Sequence, residues 1–248
     1  TGAGGGILAV PLLVFGIRME LAQAGPIGLL AVGMAAALGA VLGLREGIVR
    51  YRAAMLIAAF GMLLSPLGLW LAHRLDNRWL SVLFATILLL VAFRTFRQAT
   101  RPPLVVPANV HSLHPCKRDA TGRFIWTSSC VRALALSGTV AGLLSGLLGV
   151  GGGFVMVPAL QRYTDLVMRS VVATSLAVIA LVSVTGVVTS AATGGMAWSV
   201  AFPFSAGALA GMLGGRVVSA RLAGPHLQIG FAAVSAAVAV GMIVKSAF

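Results

Sequence analysis

The stretch GLLSGLLGVGGGFVMVPAL, residues 142–160, decides the fold of this chain. It is apolar enough to lie in a bilayer, yet it carries glycines at 149 and 151–153 and a proline at 158. Glycine and proline are the residues that most destabilise a helix interior. We therefore predict a membrane segment whose helix breaks at the glycines, with a short second helix beginning at FVMVPAL. Pro158 is too deep for a first-turn proline, so we expect it to kink this short helix.

The composition of the whole chain supports a membrane location. Hydrophobic residues make up 59% of the 248 residues, charged residues make up 9%, and the mean hydropathy is +1.01. A soluble domain carries charges on roughly 25% of its residues, so this chain lacks the polar side chains to cover a water-facing surface. The apolar runs are long and show no strand alternation, which excludes an outer-membrane barrel. The expected fold class is all-α, a polytopic transmembrane helical bundle in contact with the lipid bilayer.

The strong positive charge has two interpretations. The net charge is +13 and the isoelectric point is near 11.8, which in a soluble protein would suggest a nucleic-acid partner. Here the Lys and Arg residues stand in short loops between apolar spans, where they orient the chain in the membrane. We therefore expect no nucleic-acid partner.

The apolar spans divide the chain into three parts. Residues 1–97 form a first transmembrane repeat that lacks its opening helix, residues 98–132 form a polar cytoplasmic connecting loop, and residues 133–248 form a second transmembrane repeat. Since Thr1 lies inside a glycine-rich motif, we expect the native start to precede this sequence. The predicted spans are 4–16, 25–44, 53–73 and 79–97, then 133–149 with 153–162 as one broken unit, 170–192, 200–220 and 226–247.

The two repeats match in sequence. GAGGGILAVPLL, residues 2–13, aligns with GVGGGFVMVPAL, residues 149–160, at an offset of 147. GMLLSPLGLWLAHRL, residues 61–75, is similar to GALAGMLGGRVVSARL, residues 207–222. Internal duplication of this kind is common in secondary transporters.

The loop charges favour inverted repeats. If the chain enters at 133, breaks at the glycines and leaves on the same side, 14 Lys and Arg lie on that side and 4 on the other. If the segment crosses once, the totals are 11 and 7. The cytoplasmic side carries the excess of positive charge, so the re-entrant arrangement is preferred, and it gives the two halves opposite orientations.

The triple glycines are candidate anion sites. Irregular backbone at membrane depth is tolerated only where it is buried in protein or lines a watery cavity. The first amides of a half-helix lack intrahelical partners and carry the positive end of the helix dipole, which favours an anion. Tight helix packing is the alternative, and we assign it to the glycines of 141–146 and 207–215. The predicted anion-binding glycines are Gly151, Gly152 and Gly153 with their counterparts Gly4, Gly5 and Gly6.

Hydroxyl side chains near the start of the span 170–192 are a second candidate. Thr174 and Ser175 offer hydrogen-bond donors, and Gly25 with Pro26 marks an irregular start at the matching place in the first half. Ser183, Ser190 and Thr193 follow at near-helical spacing and could line a path. For Ser183 and Ser190, hydroxyls that bond their own backbone one turn back are an equally good interpretation.

The polar loop and the acidic residues exclude several chemistries. No Asp, Glu or Lys lies in the middle of a span, so a buried carboxylate relay or a sodium site is not expected. Cys116 and Cys130 share the loop expected to be cytoplasmic, which predicts free thiols. With His111 and His114 they have the residue types of a zinc site, but the spacing matches no standard site. We expect no catalytic residues, no metal and no cofactor.

The motif GLLSGLLGVGGGFVMVPAL followed by VVATSLAVI resembles the sulfite exporter TauE/SafE family, also called the toluene-sulfonate uptake permease family. The likeness covers essentially the whole chain and is strongest over 137–222, whereas AGPIG in the first half departs from the usual Thr-Ser pair. The resemblance implies a bacterial inner-membrane protein that moves sulfite, sulfonates or related small anions, in many cases outward.

The expected function is therefore secondary transport of a small sulfur-containing anion, proton-coupled if the solute itself carries the proton. Thr174, Ser175 and Gln23 would donate side-chain hydrogen bonds, and Gly25 would contribute backbone. An anion channel with the same site is the alternative, and a membrane scaffold or enzyme is the third hypothesis. The sequence leaves the anion, the direction and the oligomeric state open, and a homo-oligomer is compatible with it.

Overall fold

The computed structural model describes residues 4–17, 19–100, 116, 127–219 and 224–247. The helix ends differ from the predicted spans by at most five residues, and the all-α fold class is confirmed for this part of the chain. Its nine helices are α1 Gly4–Gly16, α2 Leu21–Arg45, α3 Tyr51–Arg74, α4 Asn77–Thr100, α5 Ser128–Leu148, α6 Gly153–Tyr163, α7 Met168–Ala192, α8 Trp198–Ser219 and α9 Gly224–Ala247.

Five of these helices are long and apolar enough to cross a bilayer. They are α2, α3, residues Asn77–Arg97 of α4, α5 and α7. A helix rises 1.5 Å per residue, so 21 to 25 residues cover the roughly 30 Å of hydrocarbon in a membrane. Many large apolar side chains on these helices are exposed, among them Leu63, Leu67 and Val188, as expected where lipid is the solvent.

Helix α5 ends at Leu148, and α6 begins five residues later at Gly153. Gly149, Gly151 and Gly152 between them have φ of +71°, +75° and +67°. These left-handed conformations are disfavoured for residues with a β-carbon, so glycine is required at all three positions. Pro158 lies inside α6.

Close glycine contacts set the direction of α5. Gly138 packs on Ile57, Gly142 on Gly61 and Gly146 on Ser65, so α5 runs parallel to α3 at a constant spacing of 81 residues. In these three contacts an added β-carbon would collide with backbone of α3. The predicted packing role of the glycines in 141–146 is therefore confirmed.

Helix α7 also runs parallel to α3. Gly61 of α3 lies beside Val182, and Gly186 lies beside Ser65, so the residue numbers increase together along both helices. Since α5 and α7 begin at the same end of the molecule, α6 brings the chain back to the end where α5 started. Helices α5 and α6 thus form a re-entrant hairpin.

Helix bounds and several contacts of the two halves match at the same offset of 147 as the sequence. Adding 147 to the bounds of α2 gives 168–192, the bounds of α7, and adding 147 to the bounds of α4 gives those of α9. Helices α2 and α7 pack antiparallel, with Gly33 against Ser183 and Gly43 against Ala173. A β-carbon on Gly39 would meet Leu176 and Met212, and one on Gly186 would meet Leu29 and Ser65. The matched residues are Gly39 and Gly186, Leu176 and Leu29, and Met212 and Ser65, and the numbers in each pair differ by 147.

Two predictions about the loops and helices are wrong. Gly207, Gly211, Gly214 and Gly215 of α8 were expected to pack tightly, but an added β-carbon at any of them would meet nothing within 4 Å in the described structure. The predicted free thiols are joined as a disulfide between Cys116 and Cys130.

The disulfide lies at the base of the re-entrant hairpin. The Cys116 amide donates to the Tyr163 carbonyl at 3.2 Å, and Cys130 lies in the first turn of α5. Both cysteines are fully buried. The turn back through α6 brings residue 116, the end of α6 and the start of α5 together, which the linear sequence does not show.

Candidate functional site

The break between α5 and α6 leaves a row of backbone donors without partners. The amides of Gly151, Gly152, Gly153 and Phe154 donate to no acceptor in the described structure, and Gly152 gives α6 no side-chain cap. Gly151 to Gly153 are buried. Unpaired amides at a helix N-terminus carry partial positive charge, so the arrangement can accept the oxygen atoms of an anion.

This row of amides lies halfway along the membrane-spanning helices. A β-carbon on Gly151 would lie 3.2 Å from Val32 and 2.8 Å from Ile179, and each of these residues is one position from the middle of its helix, α2 or α7. Gly25 and Gly28 of α2 pack on the backbone of Gly149. Helices α2 and α7 therefore hold the break between them at mid-depth.

A buried hydroxyl faces the break from α7. The Ser183 Oγ would lie 3.7 Å from a β-carbon on Gly151 and 3.3 Å from one on Gly33. Ser183 is 1% exposed, and its hydroxyl has no hydrogen-bond partner in the described structure. Leaving such a group unpaired costs about 1–3 kcal/mol, which a ligand that accepts its hydrogen bond would offset.

The two hydroxyls singled out in the sequence are engaged elsewhere. Both side chains are fully buried. The Thr174 Oγ1 accepts a hydrogen bond from the Arg50 amide at 3.1 Å, which caps the start of α3. The Ser175 Oγ donates to the Val172 carbonyl at 2.8 Å. A hydroxyl bonded to its own backbone, one of the two interpretations that we gave for Ser183 and Ser190, is thus found at Ser175 instead.

The predicted residues of α2 occupy two different places. Gly25 contacts the break through Gly149, whereas Gln23 is exposed in the first turn of α2. The predicted irregular start at Gly25 and Pro26 is wrong, because α2 begins at Leu21 and continues through Pro26. The offset of 147 pairs Thr174 and Ser175 with Ile27 and Gly28, so the sequence alignment at this point was two residues out of register.

The first-half glycines occupy a helix start. Gly4, Gly5 and Gly6 form the first turn of α1, and residues 1–3 before them lie outside the described part of the chain. By the offset of 147, Gly6 is the counterpart of Gly153 at the start of α6. Val10 of α1 packs on Gly28, so α1 lies against the same part of α2 as the break does.

A cavity of about 720 Å³ opens at one end of the bundle. It contains the carboxylates of Glu20 and Asp76, with no Lys or Arg among the described residues that line it. The opposite end is basic, because it carries arginines at the ends of α2 and α6 and at the starts of α3, α5 and α7. The lining of the cavity is Met19, Glu20, Ala22, Gln23, Ala72, His73, Leu75, Asp76, Asn77, Gly194, Gly195, Met196 and Ala197.

Three further buried hydroxyls near this site have no partner in the described structure: those of Ser65, Ser145 and Ser190. All three residues are 0% exposed. Ser65 and Ser145 were not among the sequence candidates, because a lone serine in an apolar helix normally bonds a carbonyl one turn back, as Ser137 does to Ala133. Only the side-chain conformation distinguishes an unpaired serine from one that bonds its own backbone.

The candidate zinc ligands give no site in this structure. The two sulfur atoms are joined as the disulfide, and His111 and His114 lie outside the described residues. No group of three His, Cys, Asp or Glu side chains with the geometry of a metal site occurs in the described part.

The long apolar helices and the broken hairpin define a multi-pass membrane protein. The sulfite exporter TauE/SafE family model matches residues 1–242, so the chain belongs to this family and is a membrane transporter rather than an enzyme. The chain is 28% identical over 230 residues to a "Probable membrane transporter protein" of Xylella fastidiosa (strain 9a5c), covering 91% of this chain and 81% of that protein.

A second relative has a similar name. The "Probable membrane transporter protein YunE" of Bacillus subtilis (strain 168) is 26% identical over 224 residues, which cover 87% of this chain and 81% of that protein. No solved structure matches the chain.

Proposed function

We propose that this transporter moves small sulfur-containing anions such as sulfite or organosulfonates outward across the bacterial inner membrane, and that the break between α5 and α6 binds them. One observation carries the proposal: unpaired amides at the start of α6 and the unpaired hydroxyl of Ser183 converge at mid-depth. Oxygen atoms of a sulfur oxyanion accept hydrogen bonds from several directions. The amides and the Ser183 hydroxyl donate such bonds without a fixed positive charge.

Neutral donors also suit a carrier that must release its solute. A buried Lys or Arg would hold an anion tightly and would be costly when the site is empty. The described middle sections of α2 and α7 contain no charged side chain. If transport is coupled to protons, the solute carries the proton as a weak acid, because no carboxylate of the described residues lies near the break to relay it.

Two inverted repeats would supply the alternating movement. The antiparallel packing of α2 on α7 and the matched contacts of Gly39 and Gly186 support a two-fold relation between the halves. In transporters with inverted repeats, each half adopts in turn the conformation of the other, and access to a site at midplane alternates. Gly4, Gly5 and Gly6 would then add amides of α1 to the same site.

The charges at the two ends support export. Arg50, Arg132 and Arg169 lie at the end where the positive-inside rule places the cytoplasm, and they raise the local concentration of anions there. The end with the cavity carries Glu20 and Asp76 beside Arg74 and Arg78, so it attracts anions less than the basic end does. These charges affect rates of capture and release, whereas the solute gradients set the net direction.

Binding and counterflow measurements test the proposal. We expect purified protein to be stabilised thermally by sulfite, thiosulfate or an alkyl sulfonate, and liposomes containing it to show saturable, trans-stimulated uptake of the labelled anion. Flux without saturation or trans-stimulation would indicate a channel, and absence of binding and flux for all these anions would refute the proposal. Since sulfite cleaves disulfides, the screen is repeated with Cys116→Ser/Cys130→Ser protein.

A further inference from the structure

Unpaired hydroxyls continue from the break toward the cavity in the direction of the α7 axis. A β-carbon on Gly195, which lines the cavity, would lie 3.5 Å from the Ser190 Oγ. One turn further in, a β-carbon on Gly186 would lie 3.4 Å from the Ser65 Oγ. Ser183 follows and faces the break. The distance from Ser190 to Ser183 is about 10 Å along the helix, so hydroxyls recur about every 5 Å.

Packing does not require these hydroxyls. At the places related by the offset of 147, Ser183, Ser65 and Ser190 are replaced by Ala36, Met212 and Gly43. The surrounding geometry is the same there, since Gly39 faces Leu176 and Met212 as Gly186 faces Leu29 and Ser65. Residues without a hydroxyl thus occupy these three equivalent positions in the other half.

We propose that Ser190, Ser65 and Ser183 form the solute path between the cavity and the break, with Ser65 and Ser190 as a second, outer binding position for the anion. This inference takes one element from the proposed function, namely that the solute is a small anion that accepts hydrogen bonds. Leu29 lies beside Gly186 at the same level as Ser65 and is fully buried, so its side chain narrows the path between the two positions.

Cysteine labelling tests the path without any substrate. The two cysteines of the chain form the disulfide, so Ser190→Cys, Ser65→Cys or Ser183→Cys introduces a single free thiol. We expect a small anionic methanethiosulfonate to label all three at least tenfold faster than Ser137→Cys, in the order 190, 65, 183. Equal rates for the three positions and Ser137→Cys, in protein that elutes as a folded species, would overturn the path.

A matched pair of double variants tests the outer position. Ser65→Ala/Ser190→Ala and Ser205→Ala/Ser235→Ala each remove two buried hydroxyls that have no partner in the described structure. We expect both to keep the thermal stability of the wild type and only the first to reduce flux, by about tenfold, with the affinity for methanesulfonate at the break changed less than threefold. Wild-type flux in the first variant would overturn the outer position.

Failure of the proposed function and failure of the path give different results. If wild-type protein binds no sulfur anion but the three cysteines are labelled in order, the path stands and the proposed substrate is wrong. If the anion binds and is transported while labelling is absent, the proposed function stands and the path is wrong.

Discussion

Helices α3 and α8 occupy matching places in the two halves but have different surroundings. In α3, Gly61 and Gly68 lie in backbone contact with α5. In α8, the counterpart of Gly68 is Gly215, and a β-carbon there or on Gly207, Gly211 or Gly214 would meet no other atom within 4 Å in the described structure. Small residues in membrane helices therefore permit close approach without causing it, and a partner helix of complementary shape is needed as well.

The largest difference in stability is expected between a glycine substitution in α5, at its contact with α3, and one in α8. Gly142→Leu would force a side chain into the backbone of Gly61, whereas Gly211→Leu meets open space. We expect the first to destabilise the protein by about 3 kcal/mol or more, so that little folded protein is recovered, and the second to change stability by less than about 0.5 kcal/mol. Thermal melting in detergent with size-exclusion chromatography measures both. Equal stability of the two variants would break the comparison.

The broken hairpin of the second half gives the next largest expected effect. Gly152→Leu places a β-carbon 2.7 Å from the Ala141 carbonyl oxygen and requires a left-handed conformation. Gly47→Leu is the control, because Gly47 has φ of +70° and nothing within 4 Å. Both variants carry backbone strain of about 1–2 kcal/mol, but we expect only Gly152→Leu to abolish anion flux in liposomes while still inserting in the membrane. Wild-type flux in Gly152→Leu would exclude the break from the mechanism.

The disulfide is found only in the part of the chain that holds α5 and α6. Cys130→Ser removes the disulfide, which joins two cysteines separated by 14 positions in the sequence. For a loop of this size the chain-entropy model gives about 3 kcal/mol of stabilisation. We expect the melting temperature of Cys130→Ser to fall, and that of the wild type to fall equally under reducing conditions. A reductant effect that persists in Cys130→Ser would show that another process is responsible.

The smallest effect is expected from a substitution that gives the second half the residue found at the matching position of the first. Ser183→Ala copies Ala36 and removes one hydroxyl from the break, so we expect the affinity for a sulfonate to fall about tenfold, which corresponds to about 1.4 kcal/mol. Ser137→Ala is the control, because that hydroxyl bonds Ala133 and faces no amide of the break. Isothermal titration measures both. An unchanged affinity in Ser183→Ala would remove this side chain from the site.

The helices and the place of the break were predictable because hydropathy and glycine runs are properties of the local sequence. The predicted spans match the helices, and the left-handed glycines at 149, 151 and 152 lie where the motif has them. The count of Lys and Arg also favoured a return of the chain after the glycines, and α6 runs back to the end of the bundle where α5 starts. These features depend on composition over windows of ten residues or more, which tertiary contacts change little.

Individual side-chain roles were not predictable, because they depend on contacts between distant segments. Thr174 looked like a ligand donor, but α3 uses it as a cap through Arg50, 124 residues away. Ser183 looked equally like a backbone-bonded serine, and its rotamer leaves it unpaired. The disulfide required knowledge that residue 116 returns to the hairpin base, and the open face of α8 required knowledge of its neighbours.

The hairpin of α5 and α6 has a consequence for how the polypeptide is threaded during synthesis. Its 36 residues, from Ser128 to Tyr163, start and finish at the same end of the bundle. The orientation of α7 is therefore that of a helix entering from the side where α5 entered. A count of apolar peaks that treats α5 as a complete crossing would therefore assign the later loops to the wrong ends of the bundle.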